Sequence, residues 1–329
     1  MTKVIALREP KGVQRFGIPL PEGMDFDFIQ WPCSDEELIE AVKDADILWT
    51  GPVDFIRKEV IDSAPNLKLI QSLGVGFDKI DLEAAKEAGV YVCNNRAVNA
   101  KSVAEHAVGL MLAALKKTAT TDARIKKGQY DECFAEYKTN GHAELGTRTV
   151  GLIGFGAIGR EACKYLNAFG SKVYYYDVFR ADEATEKEFG LTYGTLDELY
   201  EKCDILSYHV PVLDSTRGMV NAENIAKMKQ DAIIVNVARG EIVNNEDLAE
   251  ALNAGRVVAG LDVVAPEPPA ADHPLLNLTE EGNSRLTITP HIAGTTDDAF
   301  KRMVQWSYDN MKRVMAGERP NNVVNGLEK

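Results

Sequence analysis

Cysteine pairing is the first thing this sequence lacks. Its five cysteines, Cys33, Cys93, Cys133, Cys163 and Cys203, are odd in number, widely scattered and without a C-x-x-C pair. That excludes a disulfide framework or a zinc site, and predicts reduced thiols in a cytoplasmic setting. Long apolar runs are absent too: none approaches the ~18 residues a bilayer span needs, and the opening MTKVIALREPKG has no apolar h-region and no cleavage signal. Positive charge is short, 37 Lys and Arg against 50 Asp and Glu, a net charge of -13. Nucleic acid and anionic membrane surfaces both demand a basic patch, so neither is expected as a partner. A small anion remains possible, because local arginines and helix N-termini override the global sign. There is no internal repeat and no low-complexity tract. What is present, 329 residues at 45% hydrophobic and 26% charged, suffices for two globular domains, each with its own core.

One stretch organises the rest: Thr149 to Arg160, TVGLIGFGAIGR. Val150 to Gly154 reads as a short buried strand, followed by glycines at 154, 156 and 159 spaced G-x-G-x-x-G. A helix is expected over Glu161 to Phe169, with Ala162, Tyr165, Leu166 and Phe169 on one face and Gly170 as its stop. A second strand, Lys172 to Tyr176, ends at Asp177. The first glycine permits a tight turn, the second lets a pyrophosphate approach the backbone, and the third lets helix and strand pack closely. The helix N-terminus offers free N–H groups to phosphates. Asp177, 18 residues beyond Gly159, is placed to accept both adenosine ribose hydroxyls. Strand, helix, second strand and terminal acid in this order predict dinucleotide binding. The carboxylate repels a 2′-phosphate and so favours NAD over NADP, with nearby Arg180 a counter-signal.

Residues 1 to about 98 alternate strand and helix: strands at Val4–Leu7, Phe26–Ile29, Asp46–Trp49, Leu67–Leu73 and Val90–Cys93, and helices at Ser34–Val42 (Ser34 as N-cap), Phe55–Ser63 and Asp81–Ala88, closed by Gly89. Repeated βα units imply a parallel sheet covered on both faces. No glycine fingerprint follows the first strand, so this domain is not expected to bind the nucleotide. Ser102–Lys117 reads as a helix apolar around most of its circumference, buried between domains or subunits. Thr118–Thr147 is polar and reads as a helix followed by an irregular arm. Beyond the fingerprint, strands are expected at 204–210, 232–237, 257–262 and 286–289, with helices at 195–202, 221–228, 245–254 and 296–315. The last helix suggests a return to the first domain. The fold class is thus α/β: two Rossmann-like or flavodoxin-like, doubly wound parallel-sheet domains with a cleft between them, 1–98 plus 294–329 and 99–293.

Three strand ends in the second half carry ionisable residues. Ile233 to Val237 runs out into Ala238, Arg239 and Gly240. Asp262 closes a strand before Glu267 in the proline-rich Val263-Val264-Ala265-Pro266-Glu267-Pro268-Pro269. His291 follows Pro290 just past another strand. Each has a plain reading: a surface ion pair for Arg239, an exposed loop acid for Glu267, a structural ring for His291. Of the other histidines, His142 and His273 read as exposed loop residues and His106 as packing in its helix. His209 reads as lining the cofactor cleft without acid–base work. Taken together the three strand ends suit hydride chemistry. A histidine gives a proton to the developing alkoxide, a carboxylate fixes the ring and stabilises the imidazolium, and an arginine grips a substrate carboxylate and polarises its carbonyl. In the first half, Ser72 to Asp78 (SLGVGFD) puts glycine-flanked N–H groups at a strand end, suited to an anion, or is a plain strand-to-helix turn.

These motifs resemble, over essentially the whole length, the NAD-dependent D-2-hydroxyacid dehydrogenase family, with glyoxylate/hydroxypyruvate reductases and D-lactate dehydrogenases among its members. The resemblance rests on Leu73–Asp81, Ser102–His106, Gly154–Gly159, His209-Val210-Pro211, Asn236–Gly240, Asp262 through Glu267-Pro268, and Pro290-His291. It implies an oxidoreductase acting between NAD(H) and a small 2-keto acid or D-2-hydroxy acid, without a metal. It also implies a hinge near residues 98 and 293, and a homodimer formed through the NAD-binding domain. Arg239, Glu267 and His291 would be catalytic. The cofactor would be held by Gly154, Phe155, Gly156, Ala157, Ile158, Gly159, Asp177, His209, Val210, Pro211, Thr216, Val237 and Ala238, with Asp262 and Val103 on the nicotinamide side. The substrate would meet Leu73, Gly74, Val75 and Gly76 besides Arg239 and His291.

Departures from the family pattern bear on substrate. Phosphoglycerate dehydrogenases carry an arginine where this chain has Ser72, and another in the loop that here reads Gly51-Pro52-Val53-Asp54. A phosphate would lack its clamps, so 3-phosphoglycerate is the lesser alternative. Formate dehydrogenase relatives have glutamine in place of Glu267. Val264 stands where an aromatic residue is frequent. Corepressor-type relatives keep fold and NAD site as partner-binding modules, a different class of function, and phosphite oxidation on this fold would need extra cations around Arg239.

Overall fold

The computed structural model describes residues 1–30, 32–51 and 54–328. Pro52 and Val53, within the segment read above as lacking a phosphate-clamping arginine, lie outside the described residues. The chain forms two compact units: Met1–Asn99 with Thr295–Lys329, and Ala100–Gly294. Among the described residues no helix is long and apolar enough to cross a membrane.

The first unit runs β1 (Thr2–Leu7), α1 (Pro10–Gln14), β2 (Met24–Ile29), α2 (Asp35–Val42), β3 (Ile47–Thr50), α3 (Lys58–Asp62), β4 (Leu69–Ser72), α4 (Leu82–Glu87) and β5 (Tyr91–Cys93). Its described strands form a parallel sheet in the order β2-β1-β3-β4-β5. Alternation along β1 covers both faces: Ile5 and Leu7 pack with α2, α3 and α4, while Val4 and Ala6 pack with Trp49 and the last helix of the chain. Ser34 caps α2 in a reciprocal capping box with Glu37, and Gly89, at φ +71, lets the chain leave α4.

The second unit begins with α5 (Ala100–Leu115), α6 (Thr118–Lys126) and α7 (Tyr130–Asn140). Here the expectation of an irregular arm is corrected. Gly128, at φ +87, ends one helix, and a second, which buries only Cys133 and exposes Tyr130 and Phe134, runs to Gly141. Next come β6 (Thr149–Ile153), α8 (Ala157–Phe169), β7 (Lys172–Tyr176), α9 (Glu183–Phe189), β8 (Leu191–Tyr193), α10 (Leu196–Lys202), β9 (Ile205–Tyr208), α11 (Ala222–Lys227), β10 (Ala232–Asn236), α12 (Asn245–Asn253), β11 (Val257–Leu261), α13 (Glu280–Ser284) and β12 (Leu286–Ile288). The described strands order as β12-β11-β10-β9-β6-β7-β8, all parallel. Helices α5 and α8 pack on one face, α10, α11 and α12 on the other. The chain returns to the first unit as α14 (Asp297–Met315), whose Met303, Val304, Tyr308 and Met311 are buried on that sheet.

Helix α8 starts at Ala157, ahead of the expected Glu161, so Gly159 lies inside it. Its buried stripe is Gly159, Ala162, Cys163 and Leu166. Phe169, expected on that stripe, is instead 48% exposed at the end of the last turn. Helices α1, α9 and α13 and strand β8, each of seven residues or fewer, are absent from the reading of the sequence.

Candidate active site

The order of the second sheet reverses between β6 and β9, and open parallel α/β sheets bind ligands outside the carboxyl ends of such a pair. Gly154 leaves β6 at φ +99. A Cβ there would stand 2.7 Å from the carbonyl oxygen of His209, at the end of β9. A Cβ on Gly159 would stand 2.4 Å from the Gly154 carbonyl, so the third glycine lets α8 lie against the turn. Gly156 differs: a Cβ there meets nothing within 4 Å. Its missing side chain leaves open space directly before the first turn of α8, where the N–H groups are unpaired by the helix itself. Asp177 ends β7 with Oδ2 accepting from Phe155 N–H (2.7 Å) and Oδ1 from Phe179 N–H (3.1 Å). A cradle beside a helix N-terminus and a carboxylate at the second strand end fit the pyrophosphate and the adenosine ribose of a dinucleotide.

Strand β10 positions Arg239. Asn236, fully buried at its end, donates to the Arg239 carbonyl (2.8 Å) and accepts from Ala238 N–H (3.0 Å), locking the turn. The exposed Arg239 side chain donates from Nη1 to the Ala238 carbonyl (2.7 Å). Gly240 follows under severe constraint, since a Cβ would stand 2.1 Å from the Val264 carbonyl carbon. The Arg239 turn and the segment leading to Glu267 therefore touch backbone to backbone. Ala265 is held in turn by Asn245 Nδ2 (2.6 Å) and His273 Nε2 (3.2 Å), both on its carbonyl.

At the end of this segment Glu267 meets His291, with both carboxylate oxygens 2.9 Å from Nδ1. His291 has φ +54, a left-handed conformation unfavourable for a residue with a Cβ. Asp262 imposes it: its carbonyl accepts from His291 N–H (2.7 Å), and its carboxylate accepts from Ile292 N–H and Ala293 N–H (2.9 Å each) and from Thr289 Oγ1 (2.6 Å). His106 Nε2 stands 2.9 Å from Thr289 Oγ1 and 3.4 Å from Asp262 Oδ1. Burial pushes the Asp262 carboxyl up, but the bonds from His106, Thr289 and the two backbone N–H groups prevail and hold it below the usual carboxylate range.

In the first unit, the loop after β4 turns its carbonyls inward. Leu73 O accepts from Asn95 Nδ2 (2.6 Å), Gly74 O from Asn95 N–H (2.9 Å), Val75 O from Asn94 Nδ2 (2.6 Å) and Gly76 O from Ser72 Oγ (2.8 Å). With the carbonyls occupied, the N–H groups are what this loop has left to offer. Ser72 is buried and committed to that support.

Of the remaining expected residues, Val103 is buried on α5, and Val237 and Ala238 are buried past β10. Ala157 and Ile158 open α8. Val210 lies against Gly154, and Thr216 closes the turn after β9 by donating to Pro211 O (2.6 Å). His209 Nε2 bonds Ser207 Oγ (2.9 Å) while Nδ1 is buried without a partner; burial pushes the ring down to about 4, so it stays neutral. His142 is exposed. His273 corrects the reading made above: it is buried, its Nδ1 accepting from Leu275 N–H (3.2 Å) while Nε2 braces Ala265. His106 does more than pack, since its ring reaches β12. Asn236 stands in the Asn236–Gly240 motif of the sequence, whereas the supporting roles of Asn94, Asn95, Asn245 and Thr289 leave no distinct local signal: three follow strands and Asn245 opens α12, as polar residues do in many loops.

A family profile described as D-isomer specific 2-hydroxyacid dehydrogenase, NAD binding domain, matches residues 108–293. The chain is 39% identical over 296 residues to a glyoxylate reductase of Thermofilum pendens, covering 90% of this chain and 86% of that one. It is 38% identical over 291 residues to a D-3-phosphoglycerate dehydrogenase of Methanocaldococcus jannaschii, covering 88% of this chain and 53% of the other. A solved D-lactate dehydrogenase from Aquifex aeolicus, complexed with NAD and lactic acid, matches with a TM-score of 0.78 and 29% identity over 99% of each chain.

Proposed function

The chain belongs to the D-isomer specific 2-hydroxyacid dehydrogenase family, and from that premise we propose that it reduces a small, unphosphorylated 2-keto acid to the D-2-hydroxy acid with NADH. The observation that carries this is the Glu267–His291 pair, both carboxylate oxygens at 2.9 Å from Nδ1 on a histidine held left-handed by Asp262. Non-glycine residues held in that region gather at functional sites. When bound, NADH supplies the hydride for the substrate's carbonyl carbon.

With Nδ1 committed to Glu267, Nε2 is the nitrogen that faces the reaction. It delivers the proton to the carbonyl oxygen as that oxygen becomes a hydroxyl, and takes it back in the oxidative direction. Glu267 fixes the ring's tautomer and balances the positive charge it carries before delivery. Arg239 has one donor braced on the Ala238 carbonyl, which fixes the plane of its fork. Its other donors grip the substrate carboxylate and polarise the carbonyl. The N–H groups of Val75 and Gly76 are assigned to the substrate carboxylate. Asp262 is a positioning residue, since it acts through the backbone of residues 291–293.

Ser72 supports the unphosphorylated reading. A buried hydroxyl donating to Gly76 O brings no cation to that loop. The test is NADH consumption with glyoxylate, hydroxypyruvate, pyruvate, 2-ketoisocaproate, phenylpyruvate and 3-phosphohydroxypyruvate. One of the first five is expected to be preferred, with turnover falling roughly 10²- to 10⁴-fold in His291→Gln. Preference for the phosphorylated acid would overturn the substrate assignment. No turnover of any acid, with NADH bound, would favour a partner-binding role.

A further inference from the structure

Two signals about the cofactor conflict at the end of β7. Asp177 disfavours a 2′-phosphate, yet Arg180, three residues on, is the kind of residue that accommodates one. The structure shows what has become of that arginine. Its guanidinium forks onto Glu186 of α9, Nε to Oε1 at 2.8 Å and a terminal nitrogen to Oε2 at 3.0 Å. Its plane lies over Tyr193, 5.0 Å from the ring centre. Glu186 is itself anchored, since Tyr175 Oη donates to its Oε1 (2.7 Å) while accepting from Ala181 N–H (3.0 Å). Loop, strand and helix thus share one network. The bonds from Arg180 and Tyr175 hold the Glu186 carboxyl down to about 2, so it remains an anion throughout the working pH range. Charged groups of this region include the acidic Asp177, Asp182 and Glu183, Lys187 in the last turn of α9, Arg160, whose guanidinium lies over Phe155 and Phe189, and Lys164, 6.0 Å from the Phe189 ring centre.

We propose that Glu186 is a determinant of cofactor selectivity: by holding Arg180 in a two-point ion pair against α9, it withholds from a 2′-phosphate the cation that stands three residues beyond Asp177. Selectivity for NAD then has two parts, repulsion by Asp177 and sequestration of Arg180 by Glu186. Replacing Asp177 alone removes only the first. The ion pair lies outside the catalytic residues, so its loss changes which dinucleotide is held and leaves proton delivery untouched. This inference rests on the reading of Gly154–Gly159 as a dinucleotide site.

Dissociation constants for NADH and NADPH, measured by titration calorimetry on the full chain, test it without reference to turnover. The parent's NADH titration comes first; no binding there would sink the dinucleotide reading itself, separately from the selectivity claim. Glu186→Ala is expected to tighten NADPH roughly tenfold, about what one charge-assisted contact contributes, with NADH held within about threefold. Glu186→Gln, which keeps the shape and the Tyr175 bond, is expected to give a smaller gain of the same sign. Asp177→Ser with Glu186→Ala is expected to exceed the product of the single effects, because the freed arginine then faces no carboxylate. Adding Arg180→Ala to Glu186→Ala is expected to erase the gain. The proposal is overturned if NADPH affinity stays at the parent value in folded Glu186→Ala and Glu186→Gln. It is also overturned if both dinucleotides weaken together, which a purely structural role predicts, or if the gain survives removal of Arg180.

Discussion

After its first strand the smaller sheet continues with Arg8, Glu9 and Pro10 into a five-residue helix, whereas the larger continues with Gly154, Phe155 and Gly156 into thirteen residues of α8. Both sheets are parallel, both are covered on two faces, and in both the order reverses beside that first strand. Yet Pro10 removes an N–H from the start of α1, and the Arg8 guanidinium lies over Trp49, 4.3 Å from its ring centre. In the second unit Gly156 leaves the same place open. Architecture supplies a crevice twice, and a handful of residues decides which of the two has open space before its first helix.

The comparison can be broken most severely at Gly240. Valine there has no room against the Val264 backbone, so Gly240→Val is expected to destabilise the second unit by about 3 kcal/mol or more and to abolish turnover, as read by urea denaturation and assay. An unchanged midpoint would mean that the two loops are not in contact. Next is Tyr308→Ala in the first unit, a fully buried ring against Trp49 and Phe26, expected to cost about 3 kcal/mol. Trp49 and Trp306 both belong to that unit, so their fluorescence follows its unfolding. Affinity for NADH is expected to hold, and its loss would refute the division of labour. Gly156→Val sharpens the contrast: NADH affinity is expected to fall about 100-fold, roughly 2.7 kcal/mol, with no change in Tm, whereas Glu9→Ala leaves NADH binding alone.

The smallest effect concerns pH. Folded His209 is pushed down to about 4, below its ordinary value near 6.5. The unfolded chain therefore binds this proton first. The corresponding stability is fully present above about pH 6.5 and is lost as pH falls toward 4, by about 1–2 kcal/mol at pH 5. His209→Gln is expected to lose less Tm than the parent between pH 7 and pH 5 in parallel thermal scans. Equal losses would show that His209 is not the group responsible.

Much of this was legible in residue order because the signals were local. The glycine spacing, Ser34 before an acidic turn, and strands running out into Arg239, Asp262 and His291 are each read within a dozen residues. The misreadings have more than one cause. His273 looks like a loop histidine, yet its ring folds back onto the carbonyl of Ala265 and the N–H of Leu275, contacts that polarity alone does not signal. His106 looks like helix packing because Thr289 is 183 residues away. The segment after α6 reads as irregular because its polarity masks Gly128 as the stop between two helices. Arg180 reads as a counter-signal to NAD because Glu186 is recognisable as its partner only once α9 is in place.

The return of α14 has a consequence for the order in which this chain folds. Val4, Ala6, Ile47, Trp49 and Leu69 share one cluster with Ala299, Met303, Val304, Tyr308 and Met311, and Asn95 Nδ2 reaches the Met303 carbonyl. Until α14 is synthesised, that face of the first sheet is covered only in part, by Val13 of α1 with Phe16 and Ile18 after it. At about 5–20 residues per second, residues 100–294 occupy the ribosome for roughly 10–40 s in between. The second unit is continuous in sequence and can close within that interval, so the part of the protein begun first is finished last. For those seconds its half-covered apolar face is a point of exposure of the nascent chain to aggregation and a surface a holding chaperone would cover.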